Sequence, residues 1–177
     1  MKKDFYSFKK SSFVSVQNDL RKITEKLLNN ETLKKLLFYQ DKDCLKKPVL
    51  TQEETFSLIN NNIRIIPKIT VDKEALNYVI IGMDDFTQNY SNPEFRDCHI
   101  SFDIICHIDQ WNLGDYQLRP FLIAGEIDKE MNNCKLSGIG TLQFQGCSRL
   151  LLNNEFAGYT LNYIAVHGSD DTINQND

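Results

Sequence analysis

Hydrophobic residues in the first third of the chain recur at helical spacing. One apolar stripe falls at positions i, i+4, i+7 and i+11, and it consists of Val16, Leu20, Ile23 and Leu27. Such a stripe predicts an amphipathic helix over residues 13–28. A second short helix is predicted over residues 32–39, with its leucines facing inward. Thr51 followed by Glu54 forms a capping box, which predicts a third helix that ends near residue 59.

Strict alternation replaces the helical spacing at residues 99–109. One face of this segment carries Ile100, Phe102, Ile104, Cys106 and Ile108. The other face carries His99, Ser101, Asp103, His107 and Asp109. A period of two predicts a β-strand that buries its apolar face.

Two apolar segments precede this strand, and a helix follows it. Residues 63–69 are β-branched but contain Pro67, which predicts an edge strand or an extended arm. Residues 78–83 predict a short strand. The polar residues 84–97 predict a hairpin loop of a length that is uncommon unless the loop binds something. A helix is predicted from about residue 115, with Pro120 in its first turn. Its buried stripe consists of Pro120, Ile123, Ile127 and Met131.

Strand patterns return towards the C-terminus. Leu142 and Phe144 alternate in one predicted strand, and residues 149–152 form another. The last predicted strand has an alternating face made of Tyr159, Leu161, Tyr163 and Ala165. Gly138 and Gly140 lack the spacing of a nucleotide-binding loop and indicate a bulge or a close strand approach. The order of elements predicts an α+β fold in which helices flank a mixed or antiparallel sheet.

Length and composition predict one domain over residues 1–168. It comprises a helical segment (about 1–60) and a sheet-and-helix core (about 63–168), and a flexible tail follows at 169–177. A hydrophobic content of 41% suffices for a core. No apolar run reaches the roughly 20 residues that span a bilayer, and no apolar region of a signal peptide follows the basic N-terminus. Five cysteines without close pairs predict free thiols.

Charge is distributed unevenly along the chain. Residues 1–50 contain 12 basic and 6 acidic residues, a balance of +6, whereas residues 51–177 contain 8 and 18, a balance of −10. An acidic body is unlike a nucleic-acid-binding groove. The basic third is either a solvated helix face or a surface for an acidic partner.

Candidate chemistry is sparse. His99 and His107 lie too far apart along one strand to share a metal, and His107 with Asp109 would need a third ligand from elsewhere. Cys98 and His99 are neighbours that point to opposite faces, so they do not form a nucleophile pair. The chain has no phosphate-binding loop and no G-x-S-x-G motif. We therefore expect no enzyme activity, no catalytic residues, no metal and no cofactor.

Several side chains are instead candidates for contacts with other subunits. Trp111 at the end of the alternating strand is either a core residue or an interface anchor, since Trp and Arg are enriched at binding hot spots. The predicted loop 84–97 contains aromatic side chains that would be costly to expose without a partner. The full set of interface candidates is Lys34, Lys35, Phe86, Tyr90, Phe95, Trp111 and Arg119.

The order and texture of the elements resemble the tail-terminator (tail-completion, head–tail joining) proteins of tailed bacteriophages. The resemblance covers residues 13–167 and rests on the N-terminal helix, I-R-I-I-P-K-I, D-I-I-C-H-I-D-Q-W, R-P-F-L-I-A-G-E-I-D-K-E-M and the closing T-L-N-Y-I-A-V-H. It implies a structural virion protein that forms a homo-oligomeric ring, six-fold in such proteins. The ring would cap the tail tube, meet the head-completion or connector proteins, and let DNA pass without specific binding.

The resemblance also implies a location in the virion neck, and in the host cytoplasm before assembly, with no membrane partner. The basic third and the acidic remainder would provide the unlike surfaces that a head-to-tail ring needs. Two other readings stay open. One is a small metal-dependent hydrolase or nuclease that uses His107 and Asp109. The other is a non-enzymatic adaptor that binds an acidic partner through the basic N-terminal helices.

Overall fold

A computed structural model describes residues 13–65, 77–93, 95–136 and 139–167. Its helices are α1 (Phe13–Leu28), α2 (Glu31–Phe38), α3 (Gln52–Ser57) and α4 (Arg119–Met131). Single 3-10 turns occur at Cys44–Lys46 and Ile108–Gln110. Within the described ranges, none of the helices is both long and apolar enough to cross a membrane.

Five strands form one mixed sheet in the order β1-β2-β3-β7-β6. The strands are β1 (Ile63–Arg64), β2 (Asn77–Gln88), β3 (Arg96–His107), β6 (Gln143–Leu151) and β7 (Phe156–His167). β1 pairs with β2 in parallel, and all other pairs are antiparallel. The short strands β4 (Lys135–Leu136) and β5 (Gly140–Thr141) form a separate hairpin. The α+β fold with helices flanking a mixed sheet is therefore confirmed.

Local sequence accounts for the helix boundaries. α1 covers the predicted range. Asn30 caps the start of α2, because its side-chain oxygen accepts a hydrogen bond from the Leu33 backbone N–H. The capping box at the start of α3 is confirmed, since Thr51 and Glu54 exchange side-chain and backbone hydrogen bonds.

The main core lies between the helices and one face of the sheet. Ile23 of α1, Leu36 of α2 and Ile127 of α4 are fully buried there against Phe102 and Ile104 of β3. The predicted apolar stripe of α4 is also confirmed as buried. A smaller cluster occupies the opposite face at one end of the sheet, and it consists of Tyr78, Ile80, Ile105 and Phe156. Both faces at this end of the sheet are therefore buried.

The hairpin between β2 and β3 is shorter than predicted. The expected loop over residues 84–97 is wrong, because β2 continues to Gln88 and β3 begins at Arg96. Consecutive aspartates suggest the end of a strand, but Asp85 adopts a positive φ of 49° inside a bulge, and pairing resumes at Thr87. A bulge lets the strand continue past residues that would otherwise end it.

Two boundaries around α4 also differ from expectation. The alternating pattern predicts Ile108 on the buried face, but the strand ends at His107, and Ile108 lies half exposed in a 3-10 turn. α4 begins at Arg119 rather than near Asp115, because Asp115 and Tyr116 both adopt positive φ values in the preceding loop.

The two predicted strands at 142–152 are one strand, β6. Leu142 is buried just before it, and a bulge between Phe144 and Gly146 interrupts its register. Gly140 has a positive φ of 79° and lies against the backbone of Val166, which confirms a close strand approach there. Residues 66–69 of the predicted edge strand, Gly138 and the tail 169–177 lie outside the described residues.

Candidate assembly surface

The three aromatic candidates of the β2–β3 hairpin have different environments. Tyr90 at the tip is fully exposed, and Phe95 is half-buried. Phe86 packs on the core of its own chain and contacts the rings of Phe13 (5.1 Å between centroids) and His167 (5.8 Å). Phe86, a candidate for contacts with other subunits, is therefore covered by its own chain instead, because the bulge turns this side chain inward. Tyr90 stays a candidate for a contact with another subunit.

Arg119 is fully buried and connects the start of α4 to the end of α2 and to the turn after β3. Its guanidinium donates hydrogen bonds of 2.5–3.3 Å to five backbone carbonyls, those of Leu36, Tyr39, Gln40, Asp41 and Gln110. Burial lowers the pKa of Arg119, but a guanidinium normally titrates so far above neutral pH that it stays charged. As an interface candidate Arg119 is therefore wrong, since its donors are directed at its own chain.

Lys34 and Lys35 also make internal contacts. Lys34 forms an ion pair of 2.7 Å with Glu31 and a 3.5 Å hydrogen bond to Thr55. Lys35 donates to the carbonyl of Leu45 at 3.4 Å. Burial alone would raise the pKa of Glu31, but the hydrogen bonds from Lys34 and the Leu50 N–H outweigh it and lower that pKa. Lys34 thus supports the packing of α2, and the contact of Lys35 with Leu45 lies at the exposed surface.

Trp111 lines an open apolar groove of about 400 Å³. Its indole N–H donates to the Cys106 carbonyl at 3.3 Å, and its ring lies 6.3 Å from that of Tyr159. The groove lies where the loop after β3 meets β6 and β7, and it is lined by Ile108, Trp111, Asn112, Arg149, Leu151, Ala157 and Tyr159. Trp111 therefore packs on the core of its own chain and also lines this surface groove, where it stays a candidate for a contact with another subunit.

Exposed apolar side chains surround this groove. Leu151 is 68% exposed, and Ile108 and Phe121 are each 51% exposed. The ring of Phe121 stacks at 4.5 Å on Tyr159, so the apolar surface continues from the groove onto α4. Contiguous apolar surface of this kind marks interaction sites on soluble proteins. Of its residues, sequence reasoning singled out Trp111 alone as an interface candidate, because periodicity cannot show which apolar residues stay uncovered.

The strand that borders the groove, β6, is an edge strand. No strand in the described part of the chain pairs with its outer side, and most of its residues are exposed. Its nine residues include one charged side chain, Arg149. A long, nearly uncharged edge is a template for pairing with another chain. The groove and the β6 edge together are called the assembly surface below.

A Ser–His–Asp arrangement lies at the other end of the sheet. Ser15 Oγ is 3.1 Å from His167 Nε2, and His167 Nδ1 is 3.1 Å from Asp19 Oδ2. His167 is fully buried beneath Phe86, and Asp19 is 2% exposed. The sequence offers no signal for this cluster, since 152 positions separate Ser15 from His167. The cluster joins α1 to the end of β7, and the groove is lined by other residues.

The candidates for metal chemistry and the cysteine thiols do not supply a reactive site in the described residues. His107 and Asp109 approach to 3.6 Å, but in the described residues no group of three or more His, Cys, Asp or Glu side chains could hold a metal ion. Burial raises the pKa of the Cys98 and Cys106 thiols to about 12 each, which keeps them protonated at neutral pH. These thiols are therefore poor nucleophiles.

Comparison with known proteins places the chain among phage-associated sequences. None of the curated proteins matches it. A family model matches residues 30–165, which span α2 to β7 and include the whole assembly surface. The chain therefore belongs to the YomW family, a protein family of the SPbeta region of Bacillus phage.

Proposed function

We propose that this chain is a structural protein of a phage neck, which forms a homo-oligomeric ring that terminates the tail tube and joins the tail to the head. The observation that carries the proposal is the exposed assembly surface on a member of a phage-associated family. Within the ring, the groove receives an apolar projection of the neighbouring copy. The copies occupy the virion after assembly and the host cytoplasm before it.

The geometry of the groove supports assembly better than small-molecule chemistry. Leu151 and Ile108 project from its rim, and its single charged lining residue is Arg149. Protein interfaces have such a composition, with aromatic residues and arginine at the centre and few other charges. When each copy contacts the next through two different surfaces, the copies form a closed ring if the rotation from one copy to the next is a whole fraction of 360°.

The test compares two apolar-to-charged substitutions in the phage that encodes the protein. Leu151→Asp places a carboxylate in the groove, whereas Val49→Asp changes an equally exposed residue (64%) far from it along the chain. Both variants should fold, because neither side chain is buried. We expect Leu151→Asp to reduce incorporation into particles by at least about tenfold, since charge in an interface core costs several kcal/mol, and Val49→Asp to leave it unchanged.

Purified particles provide the decisive measurement. Quantitative mass spectrometry and imaging of wild-type particles should find the protein in multiple copies at the neck. Absence of the wild-type protein from complete particles would overturn the proposed function. Normal incorporation of the Leu151→Asp variant would show that the groove is not a contact between copies. Imaging of the particles would then test the position of the protein at the neck.

A further inference from the structure

We infer that unassembled copies of this chain pair through β6 about a two-fold axis, so that their two five-stranded sheets join into one sheet of ten strands. The occupant of the β6 edge is therefore a second copy of the chain. The inference depends on the two edges of the sheet, on the charges along β6 and on the positions of its exposed apolar residues.

The two edges of the sheet differ in what they can accept. At β1, both backbone polar groups of Ile63 that point outward are already bonded: its N–H donates to the Leu58 carbonyl, and its carbonyl accepts from the Asn60 N–H, each at 2.8 Å. β1 is therefore closed at this residue, while β6 has no partner among the described strands. Sheets cannot then join head to tail through β6 and β1, so edge pairing between identical copies must bring β6 to β6.

Side chains on β6 permit this pairing. A two-fold axis perpendicular to the sheet keeps each side chain on the same face of the joined sheet. If the axis passes between the two Ser148 residues, they lie directly opposite each other in an antiparallel pair. This register uses residues 146–150, which follow the bulge between Phe144 and Gly146. Arg149 then lies opposite Cys147, and the two Arg149 residues are diagonal neighbours, so like charges do not lie directly opposite each other.

The exposed apolar residues of β6 are also covered in this arrangement. Phe144 and Leu151 lie at opposite ends of the strand, and both are exposed in the single chain. An antiparallel pair brings the Phe144 end of one copy beside the Leu151 end of the other, and the two-fold axis repeats that contact. One interface therefore removes four exposed apolar side chains from water.

The dimer and the proposed ring exclude each other. A ring that joins a tail to a head has two different faces, and a two-fold axis in its plane would make the faces identical. Both contacts also use Arg149 and Leu151. The β6 pair is therefore a state of the unassembled protein that shields the edge strand until assembly opens it; this last consequence rests on the proposed function.

The experiment uses Cys147, which is exposed on β6, in the purified full chain. Sedimentation across a concentration series should show a dimer, and a short bis-maleimide should link the two Cys147 side chains. Cys147→Glu should lower the dimer dissociation constant roughly 2- to 30-fold, because it creates two cross-strand pairs with Arg149, and Cys147→Arg should raise it by a similar factor. When Arg149 is also replaced by Gln, Cys147→Glu and Cys147→Arg should no longer change the dimer dissociation constant in opposite directions.

Each alternative result contradicts the inference. A wild-type chain that stays monomeric at all concentrations has no β6 pair. A dimer that Cys147→Glu and Cys147→Arg affect equally uses another surface. Capture of β6 by a different protein alone would likewise give no linked dimer in the purified sample. These results come from purified protein, whereas the proposed function is tested in particles, so the two can fail independently.

Discussion

At the scale of single residues, Arg119 connects parts of the chain that no local pattern links. Charged residues are rarely buried unless paired, so an arginine at a helix start is expected at the surface. Its role depends on the folded structure, which brings carbonyls from the end of α2, the loop after it and the turn after β3 to the start of α4. The sequence therefore predicts the helices α2 and α4, but it does not predict the contact that Arg119 makes between them.

Replacing Arg119 by methionine should destabilise the protein severely. The substitution keeps an apolar stem but removes the guanidinium donors from five backbone carbonyls. The Asp41 carbonyl keeps a hydrogen bond from the Cys44 N–H, whereas each carbonyl that is left buried and unsatisfied costs about 1–3 kcal/mol. We expect a loss of several kcal/mol in the free energy of unfolding, measured by urea denaturation. The matched control is Lys129→Met on the exposed face of the same helix, with an effect within about 0.5 kcal/mol. Equal stability of the two variants would show that the guanidinium contacts contribute little.

At the scale of elements, local signals predict helices better than strands. The period of α1, the Asn30 cap and the Thr51 capping box each act within a few residues, and the helices begin and end close to where they indicate. Bulges at Asp85 and near Phe144 depend on the neighbouring strand, so the hairpin length and the unity of β6 could not be predicted. For the same reason the sequence indicates only Trp111 of the assembly surface, since exposure of an apolar residue depends on what packs beside it.

Replacing a glycine by alanine should have opposite effects on stability at two positions, one in a helix and one in a strand. Gly125 lies on the exposed side of α4 with open space around it, so Gly125→Ala should stabilise by about 0.5–1 kcal/mol through a less flexible unfolded chain. Gly158 lies buried in β7, where an added Cβ would meet the carbonyl of Ile104 in β3. Gly158→Ala should cost about 1–3 kcal/mol or more. Thermal denaturation of both variants checks the pair, and a stable Gly158→Ala protein would mean that β3 and β7 separate easily.

At the scale of the whole molecule, the charge contrast along the sequence is smaller in space. Lys26 of the basic third pairs with Glu130 of the acidic remainder at 3.2 Å. Lys47 pairs with Asp41 at 2.8 Å, but both of these charges lie in the basic third and are already counted in its balance of +6. Asp41 is accordingly shifted to a lower pKa by its hydrogen bond and its attraction to Lys47. The balance of +6 against −10 therefore overstates the charge that each surface presents to a neighbour, because sequence alone does not show internal pairing.

Self-association of the wild-type chain should consequently depend little on salt. Between about 0.01 and 0.15 M the screening length falls from about 30 to 8 Å, which weakens attraction between charged surfaces but leaves apolar contacts intact. We expect the dissociation constant of the purified protein to change less than about threefold over this range, since exposed ion pairs contribute little. The Cys147→Glu variant is the internal control, because its added pairs with Arg149 should weaken as salt rises. A steep salt dependence of the wild type would show instead that the basic third meets the acidic remainder of another copy.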